Sequence, residues 1–368
     1  MEYKTLNEVI ENLIDYRGKT PKKSKHGIKM LSAKTVKMGF IDYDNAYTIS
    51  EDEFKKFNVR GEIKKGDILL TTEAPLGCVA KLSRDNVGIA QRLVALRGKK
   101  NVLDNDFLMY YLMSEEGQHE LLARETGTTV TGIKQSEIRK IKVPIPSINI
   151  QRKIAKSLSI LDKKIELNNQ INNNLFEEII TIYENKFKNI NQGNKTIGDY
   201  IIPKRGKSLL ASEAIYGDVP VIAGGIKPST FHNIANTLAP VITISASGAN
   251  AGYTNLWECP VWSSDSSYID NTITNNVYFW YITLKLRQKE IFDSQTGSAQ
   301  PHIYPHHIAD LPIMELNRNN VIEFNNLVKP FFKEIELNKN KNHLLEQLRD
   351  TLLPKLMNGE IDLDNIEI

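Results

Sequence analysis

The four residues Ile165-Glu-Leu-Asn168 return as Ile335-Glu-Leu-Asn338, 170 positions further along the chain. With that separation held and no gap allowed, identities continue on both sides. Upstream stand Asn105/Asn275, Tyr111/Tyr281, Gln118/Gln288, Glu120/Glu290, Thr126/Thr296, Gly127/Gly297, Ile133/Ile303 and Ile138/Ile308; downstream stand Lys163/Lys333, Asn172/Asn342 and Leu175/Leu345. A few such matches arise by chance, but the order of local structure signals repeats as well, which marks an internal duplication. Asp104-Asn-Asp-Phe-Leu-Met-Tyr-Tyr-Leu112 opens an amphipathic helix, and Asn275-Asn-Val-Tyr-Phe-Trp-Tyr-Ile282 opens its counterpart. Each helix stops ahead of a Thr-Gly loop. A short Ile-x4-Ile segment and a brief apolar strand (Ile141-Lys-Val-Pro-Ile-Pro146, Leu311-Pro-Ile-Met314) follow, and then a long helix.

The amino-terminal parts of the two copies correspond more loosely. Lys4-Thr5-Leu6 resembles Lys195-Thr196-Ile197, and Arg17-Gly-Lys19 resembles Arg205-Gly-Lys207, at separations of 191 and 188. Insertions and deletions have accumulated there, so one frame carries two different faces.

The long helices carry a 4-3 apolar spacing. Positions 154, 158, 161, 165, 168, 172, 175, 179 and 182 hold Ile, Leu, Leu, Ile, Asn, Asn, Leu, Ile and Ile. In the second copy, positions 324, 328, 331, 335, 338, 342, 345, 349 and 352 hold Phe, Val, Phe, Ile, Asn, Asn, Leu, Arg and Leu. This is the seam of a coiled coil. Pro330 predicts a kink or break near the start of the second helix. The repeated asparagines Asn168, Asn172, Asn338 and Asn342 read as register-setting polar residues. The alternative is that they are solvated at a loose centre of the seam. An antiparallel pair puts Asn172 opposite Asn338 and Asn168 opposite Asn342; Asn168 opposite Asn338 would mean a parallel pair. A helix of about 35–40 residues is roughly 50–60 Å long. Antiparallel packing would place the preceding domains at opposite ends of such a rod, an arrangement suited to a duplex with its own local two-fold axis.

The fold expected is therefore mixed α/β: two globular recognition domains separated by a pair of long antiparallel coiled-coil helices, with an internal pseudo-two-fold repeat. The divisions are 1–147 for the first domain, 148–192 for the first spacer helix, 193–317 for the second domain, and 318–368 for the second spacer helix and tail. Each domain should hold a twisted, largely antiparallel sheet, with Asp67-Ile-Leu-Leu-Thr71, Leu93-Val-Ala-Leu96 and Val241-Ile-Thr-Ile-Ser245 as strand candidates.

A chain of 368 residues has room for two or three domains, and its 41% hydrophobic, 25% charged composition is that of an ordinary globular protein. The net charge of +3 is only a faint sign of nucleic acid, although Arg17-Gly-Lys-Thr-Pro-Lys-Lys-Ser-Lys25 is densely basic. Such a run is equally well a solvated loop. Cys78 and Cys259 are far apart and lack metal-ligand spacing, so no metal is expected. The amino terminus has no apolar signal core and no run is long enough to span a bilayer; the expected location is the cytoplasm.

Enzymatic motifs fail one by one. Gly18-Lys-Thr20 and Gly206-Lys-Ser208 end like phosphate-binding loops, but the required earlier glycine is replaced by Leu13 and Ile201. His302, His306 and His307 cluster, yet Pro301 and Pro305 preclude a helical HxxxH zinc site. Gly224-Gly225 and Ala246-Ser-Gly-Ala-Asn250 lack the following helix of a dinucleotide site. No methyltransferase tetrapeptide or nuclease carboxylate-lysine set stands out, so no catalytic residue is nominated.

Three stretches carry a family resemblance: Gly18-Lys-Thr-Pro21, Val143-Pro-Ile-Pro-Ser-Ile-Asn-Ile-Gln151, and above all Leu344-Leu-Glu-Gln-Leu-Arg-Asp-Thr-Leu-Leu-Pro-Lys-Leu-Met-Asn-Gly-Glu-Ile361. Together with the layout, they resemble the DNA specificity (S) subunit of type I restriction-modification systems over essentially the whole chain. Leu311-Pro-Ile-Met-Glu-Leu departs from the family's Pro-x-Pro passage into the helix. The resemblance implies a non-catalytic subunit reading a bipartite double-stranded DNA target, one domain per half-site. It would dock two modification (methyltransferase) subunits, with motor-nuclease restriction subunits in the full complex. No cofactor is expected in this chain; S-adenosylmethionine, ATP and Mg are implied for the partner subunits. An alternative is a specificity subunit paired with a fused nuclease-methylase. An adaptor binding peptides is a further class, distinguished by whether DNA binding falls with salt.

Base readout needs Arg, Lys, Asn, Gln, Ser or Thr side chains at groove depth. In the first domain the DNA-binding candidates are Arg17, Lys19, Lys22, Lys23, Thr71, Thr72, Gln91, Arg92, Thr128, Thr129 and Thr131. In the second they are Arg205, Lys207, Lys227, Ser263, Ser264, Gln295, Ser298, Gln300 and His302. Any one of them could instead be surface decoration.

Overall fold

The computed structural model describes residues 2–16, 20–127, 131–297 and 300–361. The chain divides into two compact units. One runs to Glu166 and regains the stretch from Asn342, and the other is Leu167–Lys341.

In the first unit the described residues form β1 (Tyr3–Thr5), α1 (Leu6–Val9), β2 (Ile10–Asp15), β3 (Lys23–Leu31), β4 (Tyr47–Ile49), α2 (Glu51–Phe57), β5 (Ile68–Thr72), β6 (Leu76–Lys81), β7 (Val87–Ile89) and β8 (Leu93–Gly98). Then come α3 (Asn105–Met113), α4 (Glu115–Leu122), α5 (Gln135–Ile138), β9 (Lys142–Pro144) and the long α6 (Ile148–Lys186), which continues into the second unit. That unit has β10 (Lys195–Thr196), β11 (Lys204–Arg205), β12 (Val219–Ile222), β13 (Thr230–His232), β14 (Val241–Ser245), β15 (Thr254–Trp257), β16 (Trp262–Ser263) and β17 (Ser266–Ile269). It ends with α7 (Val277–Leu286), α8 (Gln288–Asp293), α9 (Pro305–Ala309), β18 (Pro312–Ile313) and the long α10 (Arg318–Met357), whose last turns return to the first unit.

The sheet orders of the two units are the same. β1-β9, β2-β8-β5-β6 and β4-β3-β7 in one match β10-β18, β11-β17-β14-β15 and β13-β12-β16 in the other. Pairing is antiparallel except for β3–β7 and β12–β16, which are parallel at equivalent places. Each domain thus holds three small sheets rather than the single sheet expected from sequence. The expected strand stretches lie on β5, β8 and β14.

The repeated residues have repeated roles. Gly77 (φ +90°), at the start of β6, and Gly252 (φ +89°), just ahead of β15, take a backbone region that glycine tolerates. The Gln118 carboxamide donates to the Gly77 carbonyl at 2.9 Å, and Gln288 donates to Gly252 at 2.7 Å. At the start of each unit a threonine caps a short helical turn with an acid three residues on: Thr5 with Glu8, Thr196 with Asp199.

The helical seam is buried where the spacing requires. Ile154, Leu158 and Ile179 on α6, and Phe324, Val328 and Ile335 on α10, are core residues. Within the first unit, Leu353, Leu356 and Met357 of α10 share a core with Ile154, Leu158, Phe107 and Tyr110. There Asp162 accepts the Tyr110 hydroxyl at 2.6 Å and an Arg349 N–H at 2.8 Å. Burial and the Asp162 carboxylate push the Tyr110 phenol above its usual range. In the second unit, Lys186 pairs with Glu323 at 2.5 Å, and the Asn338 amide donates to Asn172 Oδ1 at 3.0 Å. In the second unit the numbers fall along α10 as they rise along α6, Asn172 with Asn338 and Lys186 with Glu323, so these segments run antiparallel. The Asn172–Asn338 bond also removes the parallel alternative. Asn168 and Asn342, the other expected pair, belong to different units and are both buried.

One expectation is corrected. α10 runs unbroken from Arg318 to Met357 through Pro330. There is no break at the proline, which costs one backbone hydrogen bond, and Phe324, Val328 and Phe332, buried on either side, anchor the helix in the core.

Candidate nucleic-acid interface

Both units place their candidate residues around the same piece of backbone. In the first, Thr72 N donates to Arg92 O at 2.9 Å and Ile133 N donates to Thr72 O at 3.0 Å. Thr126 and Gly132 exchange backbone bonds of 2.8 and 3.0 Å, which pinches off the loop between them. In the second, Ala246 N donates to Asp265 O, Ile303 N to Ala246 O, and Thr296 and His302 exchange the same two bonds. The glycines after the threonines, Gly127 (φ +113°) and Gly297 (φ +93°), share the left-handed backbone that glycine tolerates. These bonds equate Thr72 with Ala246, Arg92 with Asp265, Glu73 with Ser247, and Gly132 with His302.

Around this frame the first unit forms an open hollow of about 410 Å³, lined by Tyr16, Thr72, Glu73, Gln91, Arg92 and Lys134 among others. Arg92 holds a left-handed backbone (φ +70°), uncommon for a residue with a side chain. Its guanidinium is half-exposed and pairs with Glu73 at 2.6 Å. Asp15, also in the hollow, pairs with Arg60 at 3.1 Å. The two acids are thereby covered by arginines, and Lys134 adds an exposed ammonium at the rim. Burial and the Glu62 charge push the Tyr16 phenol up to about 12, so it stays a neutral wall. Arginine held by a carboxylate in this way keeps its remaining N–H groups in one plane, the geometry that reads guanine edges or grips phosphate.

In the second unit the equivalent place is built differently. Arg205 donates to Asp265 at 2.7 Å, and the Ser247 hydroxyl donates to the same carboxylate. Gly206 lies so close to Ser263 and Ser264 that a Cβ would meet their oxygens at 2.5 Å, which brings Arg205 and Lys207 beside β16. Gly224 approaches Ser247 O equally closely, carrying the loop of the exposed Lys227 to the same edge. His302 stacks on Tyr304 (6.1 Å, 20°) and Tyr304 on His306 (5.8 Å, 6°), which forms a half-exposed aromatic ledge. Burial and the neighbouring His306 hold the His307 imidazole below its usual range, against the pull of Asp310.

Thr72, Gln91 and Arg92 therefore gather at one hollow, Thr131 is exposed beside its Gly132 wall, and Arg205, Lys207, Lys227, Gln300 and His302 belong to partly or fully exposed segments of the second unit. Lys22 and Lys23 are exposed at the start of β3, in a different sheet, with the Lys23 ammonium 5.4 Å from the Tyr47 ring. Four candidates face inward instead. Thr71 Oγ1 accepts from Cys78 N at 2.8 Å, Ser263 bonds Ser266, Ser264 Oγ accepts from Leu209 N at 3.1 Å, and Gln295 donates to Ala251 O at 2.7 Å. A strand-end hydroxyl or amide beside an unpaired backbone group satisfies that group first, so these four support the frame. Arg17, Lys19, Thr128, Thr129 and Ser298 lie outside the described residues. Sequence reasoning missed Glu73, Ser247, Asp265 and Tyr304; the signal available was their place next to nominated neighbours on repeated strands. Among the described residues no group of three or more His, Cys, Asp or Glu side chains is arranged to hold a metal. No helix of the described residues is long and apolar enough to cross a membrane.

A twofold-repeated frame, bearing different polar groups at equivalent positions, defines a tandem recognition protein. Residues 1–177 match the family model described as the type I restriction modification DNA specificity domain. The type I restriction enzyme MjaIX specificity subunit of Methanocaldococcus jannaschii is 26% identical over 366 residues, covering 86% of this chain and 82% of the relative. A putative type I specificity subunit of Mycoplasma genitalium is 26% identical over 277 residues, covering 69% and 71%. The crystal structure of a type I restriction-modification S subunit from M. genitalium shares the fold, with a TM-score of 0.63 at 20% identity over 96% of this chain and 95% of that one. Residues 1–177 thus carry the type I restriction modification DNA specificity domain, and over most of its length the chain is similar to type I specificity subunits.

Proposed function

We propose that this chain reads a bipartite double-stranded DNA target, the first domain (1–147) taking one half-site and the second (193–317) the other. The spacer helices, 148–192 and 318–368 with the tail, fix the number of unread base pairs. The observation that carries this reading is the equivalent placement of unlike groups: Glu73, Arg92 and Gly132 in one copy, Ser247, Asp265 and His302 in the other. A frame kept twice with its reading groups changed is suited to two different sequences.

On this reading two modification subunits dock on the chain and supply S-adenosylmethionine-dependent methylation of adenines. Motor-nuclease subunits using ATP and Mg complete the cytoplasmic assembly. A fused nuclease-methylase partner would make the same use of the two domains. The test is to map methylated adenines in DNA modified by the complete system, with the native chain and with Arg92→Ala or Arg205→Ala. Each variant is expected to relax one half of a split motif and leave the other intact. An ungapped motif, or equal loss at both halves from each variant, would overturn the reading.

A further inference from the structure

Away from the DNA-reading frame, the second unit contains a cleft of about 250 Å³ between α6, β15, α7 and α10. Its apolar walls include Phe176, Leu256, Tyr281 and Phe332. The rings of Tyr281 and Phe332 meet edge-on at 5.7 Å, and those of Phe176 and Tyr281 are tilted at 6.4 Å. Into this aromatic cleft come two carboxylates, Glu258 and Glu336.

Glu258 Oε2 accepts the Tyr278 hydroxyl at 3.1 Å, whereas Oε1 is buried with no hydrogen-bond partner among the described residues. A buried carboxylate oxygen left unpaired is costly, and the nearby cations do not close it. Lys339 reaches towards Glu336 at 3.7 Å. The Lys285 ammonium is committed to the Thr254 carbonyl at 3.4 Å and to the face of Tyr253 at 4.8 Å. What is missing is a donor that enters from the cleft, carries positive charge and tolerates aromatic walls.

We propose that this cleft is a binding site for a guanidinium or ammonium group on a short apolar stem. The cation would pair with the Glu258 and Glu336 carboxylates while its stem packs against Phe176, Tyr281 and Phe332. Two sources offer this chemistry, a free small organic amine and the arginine side chain of a partner polypeptide. The aromatic faces favour either, since a cation is attracted to the ring face. Burial, reinforced by the Glu336 charge, raises the Glu258 carboxyl above its usual range, against the Tyr278 hydrogen bond and the Lys333 and Lys329 charges, and a bound cation would bring it back down.

The test titrates the full chain with n-butylguanidinium, with the isosteric neutral n-butylurea, and with N-acetyl-argininamide, followed by calorimetry and by ligand-observed NMR. Saturable binding of n-butylguanidinium in the millimolar range is expected. n-Butylurea should bind at least about tenfold more weakly, and Glu258→Gln should weaken n-butylguanidinium by at least about tenfold. Tryptophan fluorescence checks that the variant is folded, and Glu336→Gln, at the second carboxylate, should give a smaller loss of the same sign. N-acetyl-argininamide binding as well as n-butylguanidinium would assign the site to a polypeptide side chain; weaker binding would assign it to a free amine. Absence of saturable binding, or binding that Glu258→Gln leaves unchanged, would overturn the proposal. None of these measurements involves DNA, so failure here leaves the reading of the two domains standing.

Discussion

Leu356→Ala should unfold one unit of this protein and spare the other. Leu356 lies in the last turn of α10, 3% exposed, in the core that also holds Ile154, Leu158, Phe107 and Tyr110. Replacing it by alanine leaves helix propensity intact and opens a cavity. Leucine-to-alanine changes at such sites cost about 2–5 kcal/mol. With a urea dependence of about 2 kcal/mol per molar for a unit of this size, the midpoint should fall by about 1–2.5 M. The chain supplies its own reporter, because all three tryptophans, Trp257, Trp262 and Trp280, are in the second unit. Far-UV circular dichroism should therefore show an early transition in the variant, while tryptophan fluorescence keeps its native midpoint. Phe324→Ala, in the core of the second unit, should do the reverse and move the fluorescence transition. If fluorescence and circular dichroism shift together in Leu356→Ala, the assignment of the last turns of α10 to the first core alone is refuted.

Arg92→Ala removes a guanidinium held in place by Glu73, and should cost about 1–3 kcal/mol of discrimination at one half-site; competition binding with duplexes altered in one half at a time reads it. Asn338→Leu leaves Asn172 without its 3.0 Å partner and should destabilise by about 1–3 kcal/mol. The double change Asn172→Leu/Asn338→Leu should recover that loss or exceed it, as urea titration followed by fluorescence will show. Glu258 sets a pH dependence. Its folded carboxyl is raised above the ordinary 4.5, so the folded chain holds its proton to higher pH than the unfolded chain does. Stability therefore falls as pH rises from that value through the folded one. Glu258→Gln should stabilise the ligand-free chain at neutral pH, with the gain vanishing as pH falls to 4.5, by thermal melts across that window.

The duplication could be read from sequence because the carboxy-terminal part of each copy is helix and capped loop. There, periodicity and glycine turns keep a fixed separation. The sheets were legible only as isolated apolar stretches. β7, β12 and β16 are short, and the parallel pairing of β3 with β7 and of β12 with β16 depends on crossovers that leave no local pattern. The binding face was half legible. Arg92 and Arg205 were recoverable from charge, but their partners Glu73 and Asp265 carry the wrong sign for a DNA-facing nomination. Thr71, Ser263 and Ser264 look like readout groups in a string of letters. Only the fold shows that backbone groups have already claimed their hydroxyls. Pro330 misled for the opposite reason, since a local rule met a helix secured on both sides by a core.

The return of α10 to the first unit also sets an order of events during synthesis. Residues 167–341 contain everything the second core uses, so that core can close as soon as they have left the ribosome. The first core waits for Leu353, Leu356 and Met357, which are translated about 200 residues after Leu158. The domain that emerges first is thus the last to be sealed. Until then the apolar side chains of α3 and α6 that Leu353, Leu356 and Met357 will cover lack that cover.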